Sequence, residues 1–327
     1  MHQHKNSKSL KILNAEPLGY SADASAVLAE LGDVVAKEMS RADLLSELGR
    51  YDVLIVRLAH QIDREIMDAG KRLRVIVTAT TGLDHIDLAH ARKHGIAVLS
   101  LQGETQFLQE VRATAEHTWA LLLALMRQVV PASIAARHGD WDRDRFRGQE
   151  LFAKRLGVVG LGRLGVRVAR YGLAFGMDVA AFDPLAAEWL EGVRREPSLG
   201  ELLKKSDVVS LHIPLNPETR EMIGPTELVL LPKGAVLVNT SRGQVIDEDA
   251  LIEALAGKHL AGAALDVVSG ERDSDTHLES KLLDYAASHD NLLITPHIGG
   301  ATHESMAKTE IFMANKLAKF INPQDKE

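Results

Sequence analysis

Residues 156 to 183 read LGVVGLGRLGVRVARYGLAFGMDVAAFD, and no other stretch of this chain restricts its fold so tightly. A short apolar run, Leu156 to Val159, has the character of a buried strand. Gly160, Gly162 and Gly165 follow in G-x-G-x-x-G spacing. A helical pattern then places Leu164, Val168, Tyr171 and Phe175 near one face, and a second apolar run, Met177 to Phe182, ends at Asp183. Each part has a physical task. Gly160 permits a tight strand-to-helix turn, Gly162 lets the backbone approach a pyrophosphate, and Gly165 lets helix and strand pack closely. The helix N-terminus turns its N–H groups and positive dipole end toward the phosphates. Asp183 can accept hydrogen bonds from a ribose 2′-hydroxyl and would repel a 2′-phosphate, which favours NAD over NADP.

A length of 327 residues predicts about two domains. Net charge is −7, which disfavours nonspecific nucleic-acid binding and leaves no basic patch for a membrane surface. There is no cysteine, so disulfides, thiolate metal sites and a thiol nucleophile are excluded, and a cytoplasmic location is expected. The opening MHQHKNSKSLKIL has no apolar stretch long enough for a signal peptide. The most apolar later segment, Trp119 to Met126, is too short to span a bilayer.

Upstream of the glycine motif, apolar runs at 10–13, 34–35, 53–56, 75–78 and 96–99 alternate with helical stretches. The helices are expected over 21–31, 41–48, 62–69 and 88–94, with Ser21 as an N-cap. Strands alternating with helices and lacking hairpin turns predict a parallel sheet, so the first hundred residues form an α/β unit of their own. Thr105 to Arg137 reads as one long, mostly buried helix broken at Pro131, bridging two domains or packed in a dimer interface. DWDRDRFRG, residues 140–148, is a charged surface connection. Beyond Asp183, strands are predicted at 208–211, 236–238, 261–265 and 292–295, with helices near 201–205, 248–256 and 304–320.

Three of these later strands leave a charged or titratable residue just past the apolar run, where open α/β sheets bind ligands. They lead to Arg242, to the segment from Asp266 to Glu271, and to His297. Hydride transfer to or from an α-hydroxy acid needs a cation to hold the carboxylate and polarise the carbonyl. It also needs a group near neutral pKa to move the hydroxyl proton, and an anion to orient that group. Arginine, histidine and glutamate suit these tasks.

With these residues in view, the chain resembles the D-isomer-specific 2-hydroxyacid dehydrogenase family. The matching stretches are VVGLGRLG with Asp183, LVNTSRGQVIDEDAL, AGAALDVVSGE, TPHIGGAT, TAEHTWALLLAL and TTGLDHIDL, and they extend over nearly the whole chain. The resemblance implies two Rossmann- or flavodoxin-like doubly wound α/β domains with the active site in the cleft between them. Residues 1–104 plus 301–327 would form the substrate-binding domain, and 105–300 the NAD-binding domain with the long linking or dimerisation helix. It implies that Arg242 binds and polarises substrate, that His297 is the general acid/base, and that Glu271 is its partner. Gly160, Gly162, Arg163, Leu164 and Gly165 would hold the pyrophosphate end of NAD. Ile213 and Pro214 would flank the adenine, Thr219 and Thr240 would lie along the cofactor, and Asp266 would contact the nicotinamide end. Arg242, His297 and Gly299 would also be among the cofactor contacts. Thr81, Gly82 and Leu83 would offer backbone N–H groups to the substrate carboxylate. In several branches an arginine at the position of Arg57 helps hold substrate, the alternative being a surface salt bridge. The function implied is NAD-dependent interconversion of a small 2-keto acid and its D-2-hydroxy acid by a homodimer. The alternatives are an NAD(H)-sensing corepressor-like protein, or a phosphoglycerate or phosphite dehydrogenase.

Two departures from the family pattern bear on Glu271. Arg272 stands where the family usually has proline, and Glu271 lies 26 positions before His297, a longer interval than the family's. Asp273, Asp275 and Glu279 are the next acids downstream, though none falls on the motif. His90 and His94 stand four apart on a helix, as metal ligands can, but no third ligand is evident, so a solvated face is expected and no metal. His117 is expected to serve packing.

Overall fold

Two parallel sheets result from this alternation of apolar runs and capped helices. The structure, a computed structural model, describes residues 9–271 and 280–323, so Arg272, Asp273, Asp275 and Glu279 lie outside the described residues. The chain divides into two units, the first made of described residues 9–111 and 301–323 and the second of 112–271 and 280–300.

Unit 1 begins β1 (Leu10–Asn14), α1 (Ala22–Leu31), β2 (Gly32–Ala36), α2 (Arg41–Glu47), β3 (Val53–Val56) and α3 (Arg64–Ala69). It continues β4 (Val75–Thr78), α4 (Leu88–Lys93), β5 (Ala97–Leu99) and α5 (Thr105–Leu108). The sheet order is β2-β1-β3-β4-β5, all parallel, which is the flavodoxin-like order. β3 and β4 are buried along their whole length because both faces of the sheet are covered, and this is why they read as apolar runs, with Thr78 at the end of β4 the one exception. Neighbouring residues serve opposite layers: Leu13 and Leu54 pack with Ile66, whereas Ile12 and Ile55 pack with Leu28. Side chains of Ser21, Ser40, Asp63 and Asp87 cap the first four helices.

Unit 2 starts with α6 (Ala113–Met126), α7 (Val129–Arg137), β6 (Arg155–Val159), α8 (Arg163–Ala174), β7 (Asp178–Phe182) and β8 (Arg194–Arg195). α9 (Leu199–Lys204), β9 (Val208–Leu211), α10 (Pro225–Leu230), β10 (Ala235–Asn239), α11 (Glu248–Ala256), β11 (Leu260–Leu265), α12 (Lys281–Ala286) and β12 (Leu292–Ile294) complete it. Its parallel sheet runs β12-β11-β10-β9-β6-β7-β8, the Rossmann order with one further strand. The order reverses between β6 and β9, beside the glycine motif. Finally α13 (His303–Ile321) belongs to unit 1, where Met313, Ala314 and Leu317 bury against Ile12, Leu28 and Val77.

The structure corrects two helix boundaries. Thr105–Arg137 is three helices, not one. One break lies at 109–112, and the second falls at Gln128, whose φ of 50° is left-handed, rather than at Pro131. Pro131 is the third residue of α7, inside a first turn where a missing N–H is tolerated. α7 buries none of its residues, whereas α6 buries Trp119, Leu121, Leu122 and Met126. Likewise α3 starts at Arg64 instead of Ile62, because Ile62 bridges to Ile86 and Asp63 caps the helix. Among the described residues, no single helix is long and apolar enough to cross a membrane.

Candidate active site

Two glycines of the motif are required by the backbone around them, and the third faces open space. Gly160 has φ 87°, and a Cβ there would lie 2.6 Å from the His212 carbonyl at the end of β9. A Cβ on Gly165 would sit 1.9 Å from the Gly160 carbonyl oxygen, so the start of α8 presses directly on the turn. A Cβ on Gly162 would meet no atom of the described residues within 4 Å. Nothing among the described residues requires that glycine, so the open space in front of it suits a ligand approaching the backbone. Gly162 also offers no side chain to cap α8, so the first turn is not closed off by the residue before it. At the tip of β7, Asp183 accepts the Leu161 N–H (2.8 Å) and the Leu185 N–H (2.8 Å), which fixes its carboxylate beside the turn. Burial, with the nearby Arg167 charge adding to it, pushes the Arg163 guanidinium down to about 10. A bound phosphate would relieve that cost. The donors, the open Cα and the acid at the strand tip therefore fit a dinucleotide.

The three candidate reacting residues follow three adjacent strands of the same sheet, β10, β11 and β12. Arg242 follows β10 in a turn tied by Asn239, whose side chain receives the Ser241 N–H and donates to the Arg242 carbonyl. Glu271 follows β11. A Cβ on Gly243 would overlap the Val268–Ser269 main chain, so the Arg242 turn and the turn before Glu271 lie against each other. His297 follows β12, and its Nδ1 is 2.6 Å from Glu271 Oε1, with both side chains only partly exposed. Glu271, the acid on the family motif, is thus the partner the structure supplies. Strand adjacency sets this pairing, so the long connection between the two residues does not disturb it. Glu248 accepts the Ser269 N–H at 2.6 Å and holds the turn that leads to Glu271; burial raises its carboxyl above the usual range.

His297 has φ 53°, an uncommon conformation for a residue with a side chain, and its surroundings impose it. The buried carboxylate of Asp266 accepts the Ile298 N–H (2.9 Å), the Gly299 N–H (2.7 Å) and the Thr295 hydroxyl (2.6 Å). His117 Nε2 lies 3.2 Å from the same carboxylate and 3.0 Å from Thr295 Oγ1. Asp266, expected at the nicotinamide, therefore spends three hydrogen bonds shaping the turn that presents His297. Gly299 is buried for the same reason: a Cβ would lie 2.8 Å from Asp266.

Other expected contacts also have internal partners. The Thr219 hydroxyl donates to the Pro214 carbonyl and shapes the loop after β9, and Thr240 Oγ1 is 2.8 Å from Thr118 Oγ1 on α6. Ile213 lies against the Cα of Gly160. Beside it His212, which sequence reasoning passed over, contacts Ser210 through Nε2 at 2.8 Å while its Nδ1 is sealed without a partner. Burial pushes its imidazole down to about 4. In unit 1, the Thr80 hydroxyl donates to the Gly82 carbonyl. The N–H groups of Thr81, Gly82 and Leu83 have no acceptor among the described residues. Arg57 directs one nitrogen to the carbonyls of Glu16 and Leu18, each at 2.8 Å, and another toward Glu310 at 3.5 Å.

A Rossmann sheet with this glycine turn and a Glu–His pair beside an arginine defines a nicotinamide-dependent oxidoreductase. The sequence profile of the D-isomer specific 2-hydroxyacid dehydrogenase, NAD binding domain, matches residues 119–299. The chain is 35% identical over 304 residues to a hydroxypyruvate reductase of Thermotoga maritima, covering 93% of this chain and 96% of that one. It is 37% identical over 316 residues to a D-3-phosphoglycerate dehydrogenase of Methanocaldococcus jannaschii, covering 95% of this chain but 57% of that longer one. A crystal structure of a D-lactate dehydrogenase from Aquifex aeolicus, complexed with NAD and lactic acid, superimposes with a TM-score of 0.84 at 31% identity over 96% of each chain. The chain belongs to the D-isomer specific 2-hydroxyacid dehydrogenase family, and its cofactor is NAD.

Proposed function

We propose that this protein reduces a small 2-keto acid to the D-2-hydroxy acid with NADH, or runs the reverse. One observation carries the reading: the 2.6 Å Glu271–His297 contact at strand ends beside the one that bears Arg242. When bound, NADH supplies the hydride. Gly160, Gly162, Arg163, Leu164 and Gly165 would hold its pyrophosphate and Asp183 its ribose. Arg242 offers forked donors to the carboxylate and polarises the carbonyl. With Nδ1 turned to Glu271, the His297 ring presents Nε2 to the carbonyl oxygen and delivers the proton. Glu271 keeps the ring in that orientation and stabilises the imidazolium that forms in the oxidative direction. The N–H groups of Thr81, Gly82 and Leu83 are assigned to the substrate carboxylate. Unit 1 is accordingly the substrate-binding domain and unit 2 the NAD-binding domain.

A second reading, oxidation of a phosphorylated hydroxy acid, is supported by the name of the Methanocaldococcus relative. This chain spans 57% of that relative's length. Arg57 is occupied by two main-chain carbonyls and Glu310, which favours an unphosphorylated acid. An assay with NADH against glyoxylate, hydroxypyruvate, pyruvate, longer 2-keto acids and 3-phosphohydroxypyruvate separates the two. The proposal expects turnover on an unphosphorylated acid; turnover on the phosphorylated one alone would select the second reading. Cytoplasmic residence and a homodimer belong to the same proposal. Val129, Val130 and Ile134 on the unburied α7 would supply part of the dimer surface.

A further inference from the structure

A side-chain cluster in unit 1, separate from the residues above, has the composition of a metal site. His90 and His94 lie on and just past α4, one helical turn apart, and Asp68 lies on the neighbouring α3. The sequence alone offered no third ligand for the two histidines; the fold brings Asp68 to them. His90 Nε2 is 2.8 Å from Asp68 Oδ1, and the imidazoles stack with centroids 3.9 Å apart. One ligand atom from each of the three residues falls within 4.8 Å of the others. Ligand atoms about 2.0–2.1 Å from a tetrahedral zinc stand about 3.4 Å apart, so closing the cluster needs side-chain rotation only.

The orientation of the rings supports a metal over a mere hydrogen-bonded pair. His94 Nδ1 is 2.9 Å from the His90 carbonyl and donates to it, which leaves Nε2 as the nitrogen with a lone pair. This outer hydrogen bond is the kind that fixes the tautomer of metal-bound histidines. His94 and Asp68 are exposed, so a hydrated ion can reach them, while the His90 ring is largely covered and already positioned. The competing partner for Asp68 is Arg64 at 3.5 Å, a mostly exposed side chain whose ion pair is weak.

We propose that His90, His94 and Asp68 bind a divalent transition metal of the zinc or nickel type. The ion would replace the proton now shared by His90 and Asp68, with water completing its coordination. Bound there, it would staple α3 to α4, the two helices that flank β4 and the loop containing Thr81, Gly82 and Leu83.

Zinc titration by calorimetry, Co2+ d–d absorption and thermal unfolding test this on the whole protein. Wild type is compared with His94→Ala and Asp68→Asn, both exposed changes that leave the metal-free melting temperature unaltered. The expected result is one more zinc equivalent in wild type than in either variant. A Co2+ spectrum and a metal-dependent rise in melting temperature of about 2–4 °C should appear only in wild type. Zinc held anywhere else on the chain is common to all three proteins and cancels in the difference. Equal stoichiometry and equal thermal shifts in wild type and both variants would overturn the site, leaving the cluster as a hydrogen-bonded helix contact.

Discussion

His212 shows how much of a residue's chemistry depends on what covers it. In the sequence it is one histidine in a proline-containing loop. In the fold its Nδ1 is sealed and unpartnered, and burial lowers its pKa to about 4. Because the folded value lies below the unfolded value of about 6.5, the unfolded chain binds a proton that the folded chain refuses. Stability is therefore unaffected above about pH 6.5 and declines as pH falls from there toward 4, by up to about 3 kcal/mol. His212→Gln should remove that part of the acid sensitivity, seen as a smaller difference between urea midpoints at pH 7.5 and pH 5. Equal acid losses in variant and wild type would show that His212 is not responsible. Arg242, Glu271 and His297 stand out in the sequence as candidates because each follows an apolar run at a strand end, and the fold brings Glu271 and His297 into contact. Asp266 also stands out as a candidate, but its three-donor grip on the His297 turn was not legible. That grip joins the end of β11 to the end of β12, and spacing in sequence does not encode it.

Elements were readable where one force dominated. Strands β3, β4 and β9 are buried along their length and announce themselves as apolar runs, interrupted only by Thr78 in β4 and Ser210 in β9. The division of Thr105–Arg137 was not readable, since a left-handed residue such as Gln128 leaves no compositional mark while Pro131 attracts attention. The glycine turn yields a paired prediction. Gly162→Ala adds a methyl group to open space, so its melting temperature should match wild type while NADH affinity falls at least about tenfold, or about 1.4 kcal/mol. Gly165→Ala drives a methyl group into the Gly160 carbonyl and should cost stability itself, about 1–3 kcal/mol. Thermal unfolding and NADH fluorescence titration read the two effects separately. If Gly162→Ala binds NADH as wild type does, the phosphates do not approach at Gly162.

At the scale of the whole molecule, strands alternating with helices make both sheets parallel, and the family motifs identify the second sheet as the one that binds NAD. The exposed face of α7 leaves Val129, Val130 and Ile134 uncovered, an apolar group that a homodimer would bury. Ile134→Glu should shift the mass measured by light scattering from dimer to monomer; a wild-type monomer would remove this part of the proposal. The central claim is that the Glu271–His297 pair moves the proton while the glycine turn binds NADH. Its most direct test is steady-state reduction of the best 2-keto acid by wild type, His297→Ala and Glu271→Gln, with NADH binding measured alongside. The account predicts that kcat falls at least about 100-fold in His297→Ala, and by a smaller factor in Glu271→Gln, while NADH affinity changes far less than kcat in both. Turnover by His297→Ala at the wild-type rate would contradict it.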